Sequence, residues 1–166
     1  RIMDNSTMLT GRILSFLDNP FCTDPSRAAT VTTDQAILIR NGKIATIAAA
    51  TELRAQHPNA ICHSYGDKLI LAGFVDAHAH HPQTAIIASW GKRLIDWLNS
   101  YTFPEEMQFE NADYAAQIAE RYLDLTTAHG TTTMASFATI HPVSVETFFA
   151  AAKARNQRVI CGKTCM

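Results

Sequence analysis

Between Lys68 and Met166, apolar runs typical of buried strands alternate with segments of helical periodicity. The first run, LILAGFVDA, contains no polar alternation, so we predict a strand buried on both faces. The whole order is strand, helix, strand, helix, strand, predicted at 69–77, 111–128, 131–138, 145–152 and 158–166. This order predicts an α/β fold of parallel strands with right-handed crossovers, in an open sheet or a barrel. An open dinucleotide-binding sheet is disfavoured, because no GxGxxG follows the first strand.

The preceding residues show the patterns of short strands and turns. GRILSFL at 11–17 predicts a strand, whereas 18–33 contains Pro and Asp without periodicity and predicts a surface loop. AILIRNGKIATIA at 36–48 predicts a hairpin, because its central Asn-Gly pair tolerates the positive φ angles of a tight turn. A short helix is predicted at 51–56.

Composition restricts the classes of partner. The chain has 166 residues, of which 47% are hydrophobic and 17% charged, so it can bury a core. Its net charge of -1 gives no attraction to nucleic acid or an anionic membrane, and favours a small neutral substrate. No leader pattern opens the chain and no apolar run approaches the roughly 18 residues of a membrane span, so the expected location is the cytoplasm. Four cysteines without a CxxC pair are predicted to be free thiols: Cys22, Cys62, Cys161 and Cys165.

Two histidines, His78 and His80, follow the first strand of the alternating region. Side chains two residues apart on a strand point to the same face, so both imidazoles would face the interior at the carboxyl-end rim of a barrel. Imidazole nitrogens are zinc ligands at about 2.0 to 2.1 Å. The alternative is that these histidines only form hydrogen bonds at a strand end.

LAGFVDAHAH resembles the strand that carries the metal-binding histidines of the amidohydrolase superfamily, with Ala72 where many members have proline. NGKIATIA also resembles the N-terminal sandwich strands of that superfamily. The resemblance implies part of a (β/α)8 TIM-like hydrolase barrel, preceded by part of a small composite β-sandwich domain. The expected boundaries are 1–67 for the sandwich portion and 68–166 for the first three β/α units. Since a barrel takes about 250 residues, the chain is expected to be the N-terminal portion of a longer protein.

A narrower resemblance, to the guanine deaminase family, lies in three segments: HHPQT, ASWGKRLIDWLNSYTFPEE and GTTTMASFATIHP. It implies that His78 and His80 hold one zinc ion, and that His80, His81, Pro82 and Gln83 contact the substrate. The Gln83 amide could pair with the polar edge of a purine. The alternatives are that His81 only caps the loop and that Gln83 is a solvated loop residue.

The reaction implied by the resemblance is zinc-dependent hydrolytic deamination of guanine to xanthine and ammonia, in which zinc lowers the pKa of an attacking water. The proton-shuttling glutamate, further histidine ligands and an aspartate are expected outside this chain, so no catalytic general base is assigned within it. A homodimer is implied for the full-length protein. Alternatives are another amidohydrolase deaminase or chlorohydrolase acting on a different nucleobase or triazine, and a catalytically incomplete binding chain. A cytidine-deaminase type of site is disfavoured, since H-x-E with P-C-x-x-C is missing.

The remaining polar residues receive simpler predictions. Asp76 is expected to share the His78 face on a regular strand and to support or pack there. His141 either lines the site or only begins a helix beside Pro142, and Lys163 is not expected to bridge metals. Three histidines near turns or helix ends are expected to face solvent: His57, His63 and His129. Four aromatic residues form either a lid over a purine or a packed cluster, which is favoured: Trp90, Trp97, Tyr101 and Phe103.

Overall fold

The computed structural model describes residues 6–165, which form a mixed α/β structure of two compact units that divide between Ala72 and Gly73. The strands are β1 (Thr7–Phe16), β2 (Ala29–Thr32), β3 (Gln35–Arg40), β4 (Lys43–Ala49), β5 (Ile61–Ile70), β6 (Phe74–His80), β7 (Thr131–Phe137) and β8 (Arg158–Gly162). The helices are α1 (Pro25–Ala28), α2 (Ala50–Gln56), α3 (Leu94–Trp97), α4 (Phe103–Met107), α5 (Ala112–Ala128) and α6 (Pro142–Ala154). Within this described part, none of the helices is both long and apolar enough to cross a membrane.

The N-terminal unit is a five-stranded sheet built around β1. Its strand order is β2-β1-β3-β4, and β5 pairs in parallel with β1. The predicted hairpin is confirmed as β3 and β4, and Asn41 (φ 51°) and Gly42 (φ 72°) take the left-handed conformation that its turn requires. Four buried side chains form the core of this unit: Met8, Ala36, Leu38 and Leu53.

The prediction of a surface loop at 18–33 is wrong for its second half, which contains α1 and β2. Asp24 begins α1, since its Oδ1 accepts a hydrogen bond from the Ser26 N–H at 2.9 Å, and Pro25 occupies the first helical turn. β2 then pairs antiparallel with β1, from Phe16 opposite Ala29 to Ile13 opposite Thr32. A strand this short shows no periodicity of its own, so only its pairing with β1 reveals it.

The apolar run at 69–77 is not the single strand that its composition predicts. Its first residues end β5 in the N-terminal unit, residues 71–73 lie outside any strand, and its last residues belong to β6. Apolar residues lie on both sides of the break. Hydrophobicity therefore gave no signal of the boundary between the two units.

The C-terminal unit has the predicted order of strands and helices. β6, β7 and β8 form a parallel sheet, and α5 and α6 make the two connections. The predicted start of α5 is confirmed, because Asn111 Oδ1 accepts hydrogen bonds from the N–H groups of Asp113 and Tyr114 at 2.9 and 3.1 Å. Gly130, at φ 87°, follows the end of the helix as expected.

The two faces of this parallel sheet differ. One face, called here the covered face, packs against α5 and α6 through Ala79, Met134, Ser136, Val159 and Cys161. The other, the open face, carries His78, His80, Phe137 and Ile160. Within residues 6–165 the open face of the first strand is uncovered and Val75 is 69% exposed, so burial of this strand on both faces stays a prediction for the complete protein. The open face is uncovered because both helices lie on the same side of the sheet.

Candidate metal centre

His78 and His80 lie at the carboxyl end of β6 and converge on the open face. Their Nε2 atoms are 3.3 Å apart, and their ring centroids are 5.2 Å apart with a tilt of 59°. Both residues are exposed. Within residues 6–165 no group of three or more His, Cys, Asp or Glu side chains is arranged to hold a metal ion. The described chain therefore contributes two convergent imidazole nitrogens.

A β-bulge in β6 lies at this pair of histidines. Asp76 pairs with Met134 and Ala79 pairs with Ser136, so three steps along β6 match two steps along β7. Asp76 Oδ1 accepts a hydrogen bond from the His78 N–H at 3.1 Å. The expectation that Asp76 shares the face of His78 on a regular strand is wrong, because the bulge turns Asp76 with Met134 toward the covered face.

The electrostatic effect of Asp76 also places it beside the helices. Burial first, and the Asp76 and Cys161 side chains next, raise the pKa of Tyr122 on α5 to about 12. Tyr122 belongs to the core cluster under the sheet. The Asp76 side chain therefore acts near the covered face, while its oxygen supports the backbone of His78.

Phe137, at the end of β7, packs against both imidazoles. Its ring is stacked on His80, with centroids 4.9 Å apart and 20° between planes, and tilted against His78 at 5.5 Å. His80 and Phe137 are register partners in the parallel ladder. The phenyl ring thereby limits the rotation of the two imidazoles.

Partial burial, and to a smaller extent the neighbouring His78, lowers the pKa of His80. The lowered pKa favours the neutral imidazole. Metal ions bind the neutral form, because its ring nitrogen retains a free lone pair. The site is thus prepared for a metal ion or for a hydrogen-bond donor.

His81 and Pro82, the next two residues, are buried rather than exposed. The His81 ring stacks on Phe148 of α6 at a centroid distance of 4.2 Å, and its backbone N–H donates to Ser136 Oγ at 2.9 Å. Burial lowers the pKa of His81 to about 4. Both residues anchor the 3₁₀ turn His81–Ile86 in the core, and their contact with a substrate stays a prediction.

Gln83 is half-buried and makes a hydrogen bond outside its own turn. Its Nε2 donates to Glu106 Oε1 on α4 at 3.4 Å. Burial raises the pKa of Glu106, while the bond from Gln83 acts in the opposite direction. The alternative of a purely solvated loop glutamine is therefore wrong within the described structure.

His141 and Lys163 lie after the second and third strands of the parallel sheet. The helix-start reading of His141 is confirmed, since its carbonyl accepts hydrogen bonds from the N–H and Oγ of Ser144 at 3.1 and 2.9 Å, at the beginning of α6. Lys163 is exposed, and its Nζ donates to the carbonyl oxygen of Thr164 at 3.1 Å. Whether His141 also lines a substrate site stays a prediction.

The other histidines differ from one another. His63 and His129 are exposed as predicted. The expectation of a solvent-facing His57 is wrong in part: His57 is half-buried, and its Nδ1 lies 3.1 Å from the Arg40 Nη2. The Arg40 guanidinium on β3 thus contacts the edge of this ring.

The aromatic residues between β6 and α5 do not form one packed cluster. Trp90 is 76% exposed, which contradicts the packed reading for this residue. Trp97 is half-buried and its Nε1 donates to Ser89 Oγ at 3.0 Å. Tyr101 and Phe103 are partly exposed, at 38% and 36%. The lid hypothesis for these residues stays a prediction.

All four cysteines are free thiols, as predicted. Three are exposed: Cys22, Cys62 and Cys165. Cys161 lies on the covered face, and its burial raises the pKa of the thiol to about 11. The reactive thiolate form of Cys161 is therefore scarce near neutral pH.

Two open cavities flank His78. One, of about 610 Å³, extends along the open face past Phe137, Ile160 and Lys163. The other, of about 370 Å³, lies at the outer side of β6 and includes His80, Gln83 and Trp97 in its lining. The convergent imidazoles thus lie where small molecules can approach from both sides.

Comparison with known proteins assigns the family. The sequence model of the amidohydrolase family matches residues 69–166, which contain the whole parallel sheet and both of its helices. The chain belongs to the amidohydrolase family. The mixed α/β fold agrees with this assignment, and the family match begins before His78 and His80.

Guanine deaminases are among the relatives of this amidohydrolase chain. The guanine deaminase of Escherichia coli K12 is 36% identical over 151 residues, which are 90% of this chain and 34% of the relative. The crystal structure of guanine deaminase from Bradyrhizobium japonicum matches with a TM-score of 0.88 and 32% identity, over 95% of this chain and 35% of the other. That of C. acetobutylicum, solved with bound guanine in the active site, matches with a TM-score of 0.78 and 30% identity, over 95% and 36%.

The chain spans about a third of the length of these relatives. An atrazine chlorohydrolase from Arthrobacter aurescens, solved in complex with zinc, has a TM-score of 0.72 at 17% identity, which shows the shared fold alone. The relatives at higher identity thus extend well beyond the part of an amidohydrolase described by this chain.

The sequence patterns did not predict the contacts that two residues near the site of this amidohydrolase make, Phe137 and Glu106. Phe137 could have been found by aligning the ends of the first two parallel strands, because His80 and Phe137 occupy equivalent positions. Glu106 gave no comparable signal, since its contact with Gln83 depends on how α4 folds back. The local sequence TFPEE predicts neither the contact nor its direction.

Proposed function

We propose that the complete protein containing this chain is a zinc-dependent guanine deaminase, which converts guanine and water to xanthine and ammonia. The observation that carries the proposal is the 3.3 Å separation of the His78 and His80 Nε2 atoms on the open face. The similarity of the chain to guanine deaminases over nine tenths of its length supports the choice of substrate.

The two imidazoles fit a zinc ion. Two nitrogens that are each about 2.0 to 2.1 Å from one tetrahedral zinc ion lie about 3.3 to 3.4 Å apart, which is the separation found here. A lowered pKa of His80 keeps that ring available as a ligand. Since a tetrahedral shell has four positions, the remaining ligands would be supplied by residues outside this chain and by water.

The residues of this chain hold the ligands in position. The Asp76 carboxylate fixes the backbone at His78, and the Phe137 ring fixes the plane of the His80 imidazole. Zinc, when bound, supplies the Lewis acidity that makes water nucleophilic near neutral pH. Gln83, on the turn after His80, would present its amide to the polar edge of the purine, and His80 lines the same cavity.

The proposal includes the architecture of the complete protein. The parallel sheet would be the first three strands of a (β/α)8 barrel, and the N-terminal sheet would be part of a composite β-sandwich, with the domain boundary close to the division between Ala72 and Gly73. The open face would then point into the barrel, where barrel enzymes keep their active sites at the carboxyl ends of the strands. One zinc ion per active site and a homodimer complete the proposal.

The test uses the protein expressed from the complete reading frame that contains this sequence. We expect conversion of guanine to xanthine with release of one ammonia, and about one zinc ion per chain by mass spectrometry. His78→Ala and His80→Ala should each abolish turnover and deplete zinc, whereas His63→Ala, at an exposed position of the N-terminal sheet, should leave both unchanged.

Three results would reject the proposal. Faster turnover of another nucleobase or a triazine would assign a different amidohydrolase activity to the complete protein. Guanine binding without turnover would favour a binding protein. A fully active, zinc-loaded His78→Ala variant would remove the metal centre from the reaction.

Sedimentation velocity of the complete protein tests the homodimer, which a monomer at working concentration would contradict.

A further inference from the structure

Gln83 and Glu106 join two separate elements beside the candidate centre. Gln83 lies on the 3₁₀ turn after β6, and Glu106 lies on α4. The Gln83 Nε2 donates to Glu106 Oε1 at 3.4 Å, and both side chains are half-buried. Gln83 also lines the cavity that contains His78 and His80. One end of this amide is therefore engaged by protein while the rest remains near the site.

The backbone that carries Gln83 is anchored in the core by the two residues before it. The preceding His81 is fully buried, stacks on Phe148 and donates its N–H to Ser136 Oγ. Pro82 is also buried and fixes its own φ angle. Because both preceding residues are anchored in the core, the position of the Gln83 Cα relative to β6 is restricted.

Glu106 is held in an analogous way by the residue before it. Glu105 is buried, accepts a hydrogen bond from the Tyr114 hydroxyl on α5, and accepts another from Gln108 Nε2 at 2.8 Å. The bond from Tyr114 joins α4 to the start of α5, and the bond from Gln108 ties Glu105 to the turn that follows α4. The Glu106 carboxylate is thereby presented to Gln83 from a fixed position.

We propose that Glu106 is a positioning residue that sets which way the Gln83 amide faces, and so determines the hydrogen-bond polarity that the substrate meets. A carboxylate only accepts hydrogen bonds, so it selects the orientation in which the Gln83 NH₂ group points toward it. The flipped amide would place its carbonyl oxygen against the carboxylate, which is repulsive. This inference rests on the proposed function, in which Gln83 contacts a purine.

The fixed orientation leaves a defined edge of the amide for a ligand. The carbonyl oxygen accepts one hydrogen bond and the second N–H donates one, so the edge suits a ligand with a neighbouring donor and acceptor in matching order. Guanine and hypoxanthine share the N1–H donor and O6 acceptor, whereas adenine carries an N1 acceptor and an amino donor in the reverse order. The amide orientation should therefore discriminate between oxo-purines and amino-purines.

The experiment measures binding of hypoxanthine and adenine to the complete protein by calorimetry, without turnover. We expect the wild type to bind hypoxanthine more tightly, and Glu106→Gln to reduce the ratio of the two affinities by about tenfold, because a glutamine partner accepts either amide orientation. Glu106→Gln has almost the same shape, so the melting temperature should stay unchanged. Glu110→Gln, at an exposed position after α4, is the matched control and should keep the wild-type ratio.

A double-mutant cycle identifies the route of the effect. If Glu106 acts through Gln83, then Gln83→Ala with Glu106→Gln should show the same affinity ratio as Gln83→Ala alone. Additive effects would overturn the inference, as would an unchanged ratio in Glu106→Gln, a wild-type ratio near one, or binding of neither purine. A wild type that discriminates through Glu106 yet fails to deaminate guanine would reject the proposed function and leave this inference standing.

Discussion

The two faces of the β6–β7–β8 sheet use the same strands for different purposes. On the covered face, Met134 of β7 is fully buried in the cluster that includes Phe148 of α6. On the open face, Ile160 is 67% exposed, and two imidazoles converge there with no helix of residues 6–165 packed over them. Because strand residues alternate between faces, each strand contributes to both. The covered face supplies burial, and the open face can keep polar groups accessible without weakening the core.

The adjacent residues His80 and His81 show this difference most directly. His80 is exposed and faces its partner imidazole, whereas His81 is fully buried and has a pKa lowered to about 4 by burial. The same side chain is thus a candidate ligand at one position and a packing group at the next. Residue type alone does not assign a histidine to function, since its face decides the role.

The largest expected effect breaks the covered face. Phe148→Ala should lower the free energy of unfolding by about 3 to 5 kcal/mol, because it empties a fully buried site beside His81 and Tyr122. Urea unfolding of the complete protein measures the change. Phe149→Ala, at a neighbouring residue that is 40% exposed, should cost about 1 kcal/mol or less. Equal losses at both positions would contradict the assignment of faces.

Thiol reactivity gives the next largest contrast. A pKa of about 11 leaves the Cys161 thiol with about 100-fold less thiolate at pH 8 than an ordinary cysteine has, so its alkylation should be slower by a similar factor. Peptide mass spectrometry after timed exposure to iodoacetamide compares Cys161 with the exposed Cys165. Reaction of the two thiols at one rate would show that the covered face is open to solvent.

A smaller effect belongs to the open face. Phe137→Ala should weaken zinc binding by about tenfold, because the ring that orients His78 and His80 is removed, and should cost about 1 kcal/mol of stability in the metal-free protein. Competition with a chelator measures the zinc affinity. Ile160→Ala, on the same face, is the control and should leave that affinity unchanged. A larger loss of folding stability than of zinc affinity would assign Phe137 to the core.

The smallest expected effect lies at the start of the covering helix. Asn111→Ala should destabilise the protein by about 1 kcal/mol, since the N–H groups of Asp113 and Tyr114 lose their acceptor. Asn111→Asp keeps an acceptor and should restore most of this stability in thermal unfolding. No difference between the two variants would show that the cap adds nothing to the attachment of α5.

Local signals predicted much of the fold. The Asn41-Gly42 turn and the bounds of α5 follow from the conformational freedom of the turn residues and from capping, which act within a few residues. β2 and the end of β5 depend on pairing with the distant β1, and their own sequences carry little information. The break at 71–73 is invisible in an apolar run because hydrophobicity reports burial and not the choice of sheet.

The sequence likewise predicted one part of the candidate site and missed another. Strand alternation predicts that His78 and His80 face the same way, and their Nε2 atoms do converge. It could not predict the bulge that sends Asp76 to the other face, because an inserted residue leaves no mark in the alternating pattern. The Gln83 contact with Glu106 joins residues from different turns, and such contacts depend on tertiary packing.

The parallel pairing of β1 with β5 also imposes an order of events during synthesis. A ribosome adds about 5 to 20 residues each second, so β1 leaves the exit tunnel seconds before Ile61 can reach it. Until then, the edge of β1 that β5 will occupy is unpaired, while the β3–β4 hairpin can already close through neighbouring residues. Nascent chains paused before β5 should therefore expose an unpaired strand edge that can pair with other chains. Chaperones that act on growing polypeptides are expected to bind it.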